Sequence, residues 1–350
     1  MKVQQLLLNQ FTAFDEAALN FCPGINVLIG ANSTGKSHLM KIIYTLLKVC
    51  EVAQLNHIDS RAKIEDLLRD KLIGVFKPDD VGRLVRRGRG RRSGSVSLTY
   101  EETTLELTVT PLNHIELTFE RLPNPTPSVY LPAHEFLSIY EGFISAYKHR
   151  ETAFDETYYD LSIALNGLPL RSPRLTEIRK LITPLETAIG GKVTQENGRF
   201  YVRLPEGKLE AHLVAEGYRK FAGLIYLISN GSLTQNGTLF WDEPEANLNP
   251  KLVTVVVDML RLLAVSGVQV FIATHDYLLS QELSLLAEYP LKKDSLDIKF
   301  FALHRPNKRA GVVVESGETL ADIENNPILA EFAAHYDRET QLFQRGVRKD

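Results

Sequence analysis

Residues 25–37 of the chain read INVLIGANSTGKS, a short apolar run followed by a glycine-containing loop. The second part satisfies the pattern G-x-x-x-x-G-K-[ST], which is typical of phosphate-binding loops. Glycines let backbone N–H groups turn inward around phosphates, and a helix beginning near Lys36 directs its positive dipole end at the same anion. The apolar run predicts a buried parallel strand, and helical spacing predicts a helix at 36–49. The residues predicted to cradle a triphosphate are Gly30, Ala31, Asn32, Ser33, Thr34, Gly35, Lys36 and Ser37.

An acidic segment downstream complements this loop. Residues 238–244 read TLFWDEP, an apolar run that predicts a buried strand and is followed by two carboxylates. Lys36 is expected to reach the β- and γ-phosphates as a catalytic cation, and Ser37 and Asp242 are expected to share a Mg²⁺ ion. Glu243 is expected to orient or deprotonate the water that attacks the γ-phosphate. The sequence thus predicts an ATPase that requires ATP and Mg²⁺.

A histidine follows the next apolar run. Residues 268–273 predict another buried strand, and the tetrad ATHD occupies residues 273–276. In open α/β sheets, ligands bind at the carboxyl ends of parallel strands, which is where His275 would lie. A lone histidine is more often structural, but this one accompanies two other nucleotide motifs. We therefore predict that His275 contacts the γ-phosphate or the attacking water and is catalytic together with Glu243 and Lys36.

Composition limits the classes of partner. The chain has 350 residues with 40 basic and 43 acidic side chains, and its formal net charge of −3 does not by itself indicate a nucleic-acid or membrane protein. The apolar run near the N-terminus covers only residues 6–8, and no stretch approaches the roughly 20 apolar residues of a membrane-spanning helix. We expect a cytoplasmic protein with no membrane partner.

The order of predicted elements indicates an α/β protein with insertions. Alternating residues after Ser95 predict antiparallel strands, and Asn197-Gly198 predicts a hairpin turn. The predicted divisions are a single ATPase head over residues 1–350, a core at 1–82 and 205–350, a β-lobe at about 94–132, a helical and hairpin insertion at about 134–204, and a flexible basic loop at 83–93.

The basic loop has two interpretations. Guanidinium groups beside flexible glycines could bind the phosphate backbone of DNA or RNA, without reading sequence because no aromatic residue is interleaved with them. The alternative is a solvated loop between a helix and the β-lobe. The arginines of this loop are Arg83, Arg86, Arg87, Arg89, Arg91 and Arg92.

The order of the motifs resembles one family. A glycine-containing helix start, AEGYRK at 215–220, precedes the acidic segment, and ATHD follows it. The segment LFWDEPEANLNP is similar to a Walker B motif with its D-loop, and ATHD is similar to an H-loop. Together with residues 2–37, these motifs resemble the ABC-type ATPase head of the RecF-, SMC- and OLD-like branch. The resemblance covers about residues 1–50 and 205–280; it is specific for the superfamily but not for a biological role.

This resemblance implies an α/β P-loop NTPase fold, an ABC-type head with an antiparallel β-lobe and an inserted helical lobe. It also implies a dimer in which two heads enclose ATP, so that Gly217 contacts the ATP of the partner in trans and Asn247 lies at the dimer seam. The chain departs from the family's signature motif, because Ala215 and Glu216 replace its serine and first glycine. The lost hydroxyl and the added charge predict slow hydrolysis, unless Arg219 or Lys220 compensates.

Two further assignments are left with alternatives. No Q-loop glutamine is evident, and residues 130–135 (YLPAHE) resemble the segment that OLD-like proteins have in its place. Phe11 or Phe14 could stack on adenine, or both could pack in the core.

The expected function is an ATP-driven switch or motor that dimerises head-to-tail and controls a separate effector protein, a nuclease or a toxin, in prokaryotic anti-phage defence or DNA repair. The alternative is an ATP-dependent scaffold or sensor that holds such a partner with negligible turnover. A kinase or GTPase is disfavoured because neither is expected to have a signature helix or an H-loop, and the N-K-x-D guanine motif of GTPases is not found. OLD-family nucleases carry a Toprim domain that this sequence does not show, so another polypeptide is expected to do any cutting.

Overall fold

The computed structural model describes residues 2–88, 92–289, 296–307 and 310–347. Its strands are β1 (Val3–Phe11), β2 (Phe14–Asn20), β3 (Ile25–Gly30), β4 (Gly94–Tyr100), β5 (Thr103–Val109), β6 (Ile115–Thr118), β7 (Ser128–Leu131), β8 (Lys192–Glu196), β9 (Arg199–Leu204), β10 (Gly207–Glu210), β11 (Thr238–Asp242), β12 (Gln269–Thr274), β13 (Ile298–His304) and β14 (Val313–Gly317). Its helices are α1 (Lys36–Leu55), α2 (Arg61–Phe76), α3 (Phe143–Lys148), α4 (Glu156–Leu165), α5 (Arg174–Ile189), α6 (Glu216–Ser229), α7 (Pro250–Val265), α8 (Tyr277–Glu288) and α9 (Pro327–Val347).

The central sheet has six strands in the order β14-β13-β3-β12-β11-β7. All neighbours pair in parallel except β14, which is antiparallel to β13. The three strands predicted from the motifs, β3, β11 and β12, are adjacent, with β12 in the middle. Because they run in the same direction, the loops that carry the motifs meet at one edge of the sheet. The predicted α/β class is confirmed.

Side chains of the central sheet alternate between two cores. On β3, Val27 and Ile29 pack in the core shared with α5, α6 and α7, whereas Leu28 packs in the core shared with α1 and the antiparallel sheet. Every residue of β3 and β12 is buried, as expected for parallel strands covered on both faces. The P-loop strand is therefore held rigidly at the centre of the molecule.

The antiparallel sheet follows a different boundary from the predicted β-lobe. Its order is β2-β1-β4-β5-β6, so the N-terminal hairpin belongs to it rather than to the core. Conversely β7, which we predicted within the lobe at 94–132, pairs in parallel with β11 in the central sheet. The physical reason is visible in burial, because β1 alternates between buried and exposed residues whereas all four residues of β7 are buried. Four residues were too few to reveal this pattern in the sequence.

The insertion consists of α3, α4, α5 and a small sheet. The hairpin predicted at Asn197-Gly198 is confirmed, since these two residues adopt φ values of 50° and 76° between β8 and β9. A third strand, β10, pairs with β9 and continues this sheet beyond the predicted boundary at 204. No helix in the described ranges has both the length and the apolar character needed to cross a membrane.

Candidate nucleotide site

The P-loop connects β3 directly to α1. Ser33 and Gly35 have left-handed backbone conformations, with φ values of 64° and 93°. Two features favour glycine at position 35. Its backbone conformation is left-handed, and a Cβ there would lie 3.0 Å from the ring of Phe14. A Cβ on Gly30 would lie 2.6 Å from the carbonyl oxygen of Leu303 on the neighbouring strand. Both glycines of the motif thus let the loop approach its surroundings closely.

Lys36 lies folded across this loop. Its side chain is largely buried, and its Nζ donates to the carbonyl oxygens of Gly30, at 2.7 Å, and Ala31, at 3.1 Å. Burial lowers the pKa of Lys36, although the nearby carboxylates of Asp242 and Glu243 act in the opposite direction. A phosphate would supply the counter-charge that the buried ammonium lacks.

Asp242 ends β11 beside the first turn of α1. The Ser37 side chain acts to lower the pKa of the Asp242 carboxyl, and the Tyr130 hydroxyl donates to Asp242 Oδ2 at 3.2 Å. Burial raises the pKa of Asp242, and the charge of Glu243 adds to that rise. The ionised carboxylate therefore needs a cation to offset its desolvation.

The donors at this point fit Mg²⁺. A carboxylate of Asp242 and a hydroxyl of Ser37 are hard oxygen ligands of the type that Mg²⁺ prefers, and Mg²⁺ usually takes further ligands from substrate phosphate and water. Among the described residues, no group of three or more His, Cys, Asp or Glu side chains could hold a metal by itself. The arrangement is therefore suited to a cation that arrives with a nucleotide.

Glu243 and His275 form a pair at the same edge. Glu243 has a left-handed φ of 46°, and its N–H donates to the carbonyl oxygen of Ala273 at 2.9 Å, which fixes the turn after β11 to β12. Its Oε1 lies 3.2 Å from His275 Nδ1. Both side chains are partly exposed, and Glu243 lines the same cleft as the P-loop. The sheet order thus brings together two residues that are 32 positions apart in sequence.

A third carboxylate, which the sequence analysis did not single out, lies behind this pair. Glu245 Oε1 accepts a 2.6 Å hydrogen bond from Thr274 Oγ1, while its Oε2 is buried and has no hydrogen-bond partner among the described residues. Burial raises the pKa of Glu245. Its position in DEPE, two residues after Glu243, was the available signal, but sequence alone does not distinguish it from a solvated acid.

The start of α6 contacts the D-loop of the same chain. Ala215 is exposed immediately before the helix, and Glu216 Oε1 accepts a hydrogen bond from Asn247 Nδ2 at 2.7 Å. A Cβ on Gly217 would lie 2.6 Å from Leu248 Cδ2. Gly217 therefore has a local packing role, and its role in trans stays a prediction.

The two basic residues expected to compensate the charge of Glu216 contact other groups instead. Arg219 Nε lies 2.9 Å from Glu135 Oε1, and Lys220 Nζ donates to the backbone carbonyl of Glu243 at 3.1 Å. The direct partner of Glu216 is instead Asn247, an uncharged amide. The structure therefore leaves the added negative charge without an ion pair to either predicted residue.

The nucleotide cleft is wider and more basic than the motifs indicate. It has a volume of about 810 Å³ and is lined by the P-loop, Arg83, Arg86, Arg87 and Arg305. Arg305 Nη2 lies 3.4 Å from the carbonyl oxygen of Ser33. Part of the predicted basic loop thus faces the P-loop, while Arg89 and Arg91 lie outside the described residues.

Neither phenylalanine can stack on adenine. Phe11 and Phe14 are both fully buried, which confirms the core-packing alternative. Phe11 packs edge-on against Phe76, with 6.1 Å between ring centroids, and Phe14 lies behind Gly35. At the tip of the hairpin, the cleft is instead lined by Thr12 and Ala13.

The fold and the grouping of its motifs define an ABC-type ATPase head of the branch that includes RecF and SMC proteins, as the resemblance implied. Residues 25–280 match the family model described as "AAA domain, putative AbiEii toxin, Type IV TA system". The chain belongs to this family.

Local relatives are RecF proteins. The DNA replication and repair protein RecF of Lysinibacillus sphaericus (strain C3-41) is 30% identical over 122 residues, which are 33% of this chain and 27% of that protein. RecF of Limosilactobacillus fermentum is 48% identical over 46 residues, which are 13% of this chain and 12% of that protein. The matches thus span less than a third of these relatives.

Similar solved structures are SMC heads. A head bound to the C-winged helix domain of ScpA has a TM-score of 0.53 at 14% identity, covering 91% of this chain and 98% of that one. The Smc head of Pyrococcus furiosus with an extended coiled coil, bound to the C-terminal domain of ScpA, has a TM-score of 0.50 at 12% identity, covering 95% and 99%. At these identities the likeness shows the fold.

Proposed function

We propose that this protein is a Mg²⁺-dependent ATPase that works as a switch, closing as a dimer around ATP and opening after hydrolysis. The observation that supports it is the meeting of Lys36, the Ser37–Asp242 contact and the Glu243–His275 pair at one edge of the central sheet. Family membership supports the same activity.

Each polar residue has a role that follows from its position. Lys36 neutralises charge on the β- and γ-phosphates, and Ser37 and Asp242 would hold Mg²⁺, which would supply polarisation of the phosphoryl oxygens. Glu243 accepts a proton from water as its oxygen attacks the γ-phosphorus and the bond to the β-phosphate oxygen breaks. His275, held at Nδ1 by Glu243, presents Nε2 to the water or the γ-phosphate.

Dimerisation is proposed from the surface at the start of α6. Ala215 is exposed there, and the helix N-terminus favours contact with an anion. In a head-to-tail dimer, this surface with Gly217 would cover the ATP of the partner. Glu216 adds a negative charge at that point, which supports slow hydrolysis.

A separate effector protein, a nuclease or a toxin, is proposed as the partner in anti-phage defence or DNA repair within the cytoplasm. The family description refers to a toxin of a type IV TA system, the local relatives are named for DNA replication and repair, and two similar SMC heads are bound to ScpA. The arginines along the cleft support non-specific contact with DNA or RNA as a further property.

The substitution Glu243→Gln tests the ATPase proposal. The amide cannot accept the proton of water, so we expect steady-state hydrolysis to fall by about 100-fold or more while ATP binding persists. In the presence of ATP and Mg²⁺, this variant should then accumulate as a dimer, detected by size-exclusion chromatography with light scattering. Lys36→Ala is the control, and it should lose ATP binding and the dimer together.

The same variant distinguishes the switch from the alternative, an ATP-dependent scaffold or sensor with negligible turnover. Glu216 at the start of α6 favours this alternative. For a switch, Glu243→Gln arrests the cycle and abolishes the cellular phenotype. A scaffold would keep its partner and its phenotype. Unchanged hydrolysis in Glu243→Gln would contradict the proposed role of this carboxylate.

A further inference from the structure

The base end of the cleft has no aromatic platform from the N-terminal hairpin. Phe14 lies behind Gly35, and the hairpin tip at Thr12 and Ala13 forms the adjoining wall of the cleft. A nucleotide whose phosphates occupy the P-loop would extend its base along this wall. Arg86 lines the cleft beside the hairpin tip, whereas the rings of His38 and Phe76, which also line it, belong to α1 and α2.

The backbone of Arg86 is fixed to this hairpin. Its N–H donates to the carbonyl oxygen of Gln10 at 2.8 Å, and the N–H of Thr12 donates to the carbonyl oxygen of Leu84 at 2.7 Å. The preceding residue, Val85, forms a bridge with Phe11. The segment therefore acts as a short additional strand at the tip of the hairpin.

The guanidinium group of Arg86 is also held in place. Its Nε lies 2.5 Å from Asp15 Oδ1, and its Nη1 donates to the carbonyl oxygen of Ala13 at 3.0 Å. Asp15 in turn accepts from the N–H of Gly311 at 2.8 Å. Only 13% of the Arg86 side chain is exposed, so Asp15 and the Ala13 carbonyl help to immobilise its plane at the edge of the cleft.

We propose that Arg86 is the base-binding platform of this site, stacking its guanidinium plane on the purine of ATP where the hairpin offers no aromatic ring. This inference rests on the proposed ATP site. Hydrogen bonds of a guanidinium lie in its plane, whereas stacking uses its face, so the two are compatible. The contact combines π-stacking with cation–π attraction, and an ammonium group cannot reproduce the stacking.

The test compares two ligands that differ only in having a nucleoside. Dissociation constants for ATP and for inorganic triphosphate, both with Mg²⁺, are measured by titration calorimetry for the wild type, Arg86→Ala and Arg86→Lys. The Arg86→Lys variant keeps a cation beside Asp15 and so guards against a loss of folding. The matched control is Arg199→Ala, which breaks a 2.8 Å ion pair with Glu141 away from the cleft.

We expect both Arg86 variants to bind ATP about 2- to 30-fold more weakly, the range of a cation–π contact, while affinity for triphosphate is unchanged. An equal loss for ATP and triphosphate would mean that Arg86 contacts phosphate, and an unchanged ATP affinity would mean that it only braces the hairpin. Either result overturns the inference but leaves the ATP site standing. If the wild type binds neither ligand, the proposed function fails as well.

Discussion

Tyr130 is a residue whose role depends on a single hydroxyl. It lies on the fully buried strand β7, and its hydroxyl donates to Asp242, the carboxylate proposed to hold Mg²⁺ together with Ser37. Groups that hydrogen-bond a metal ligand orient it, and their loss typically weakens metal affinity or activity by about 10- to 100-fold.

We therefore expect Tyr130→Phe to raise the Mg²⁺ concentration for half-maximal ATP hydrolysis by about 10-fold, because Asp242 loses a hydrogen bond that orients its carboxylate. The measurement is a Mg²⁺ titration at saturating ATP. Tyr226→Phe, which removes another buried hydroxyl in a different part of the molecule, is the control. An unchanged Mg²⁺ midpoint in Tyr130→Phe would show that this tyrosine serves packing and does not orient Asp242.

At the scale of elements, a buried ionic cluster joins the P-loop side of the molecule to the insertion. Lys71 on α2 contacts Glu156 at 2.9 Å and Asp160 at 2.5 Å, both on α4. The Tyr44 hydroxyl of α1 donates to the same Asp160 at 2.6 Å. Gly74 makes room for the contact, since a Cβ there would lie 1.7 Å from Glu156 Oε2.

The pKa shifts in this cluster set the sign of its pH dependence. Burial lowers the pKa of Lys71, but the two carboxylates outweigh it and the net shift is upward. The stability that Lys71 contributes is therefore present below its unfolded pKa and is lost only as pH rises through the folded value. Burial raises the pKa of Glu156 despite the opposing effect of Lys71, so protonation of Glu156 favours the folded state.

We expect Lys71→Met to destabilise the protein by about 3 kcal/mol at pH 8, because two partly buried carboxylates lose their largely buried cation. Without Lys71 the pKa of Glu156 rises further, so the deficit should shrink as pH is lowered toward 5. Denaturant unfolding at both pH values measures this. Adding Glu156→Gln and Asp160→Asn should recover most of the loss, whereas a deficit independent of pH would argue against the ionic origin.

At the scale of the whole molecule, the proposed dimer makes each ATP site a joint product of two copies. Ala215→Glu places a second acid at the start of α6, where helix geometry tolerates it but a partner's triphosphate would be repelled. Lys36→Ala disables the P-loop, which is the other half of the composite site. Each variant alone should hydrolyse ATP poorly.

An equal mixture of the two variants should recover hydrolysis that neither variant shows alone, because a mixed dimer contains one intact composite site that can bind ATP. The assay is steady-state phosphate release from the mixture against each variant alone. Absence of recovery, with both variants folded by circular dichroism, would contradict a shared site and favour catalysis within one copy.

Local patterns in the sequence were sufficient for much of the site and the fold. The P-loop, the strands before its partner motifs and the hairpin turn at Asn197 follow from short-range rules, because glycine conformations, apolar runs and turn residues act within a few positions. The order of those motifs was also enough to indicate an ABC-type head. Backbone conformational preferences and apolar patterns extend over only a few positions, so they can be recognised in the sequence directly.

Only the tertiary structure decided which surfaces meet. The assignment of β7 to the central sheet, the burial of Phe14 behind Gly35 and the placement of Arg86 on the cleft all depend on contacts between distant segments. An arginine-rich loop has the same composition whether it faces solvent, nucleic acid or a nucleotide. Its role is set by the partners that packing brings to it, because charge and hydrogen bonding are decided by distance in space rather than along the chain.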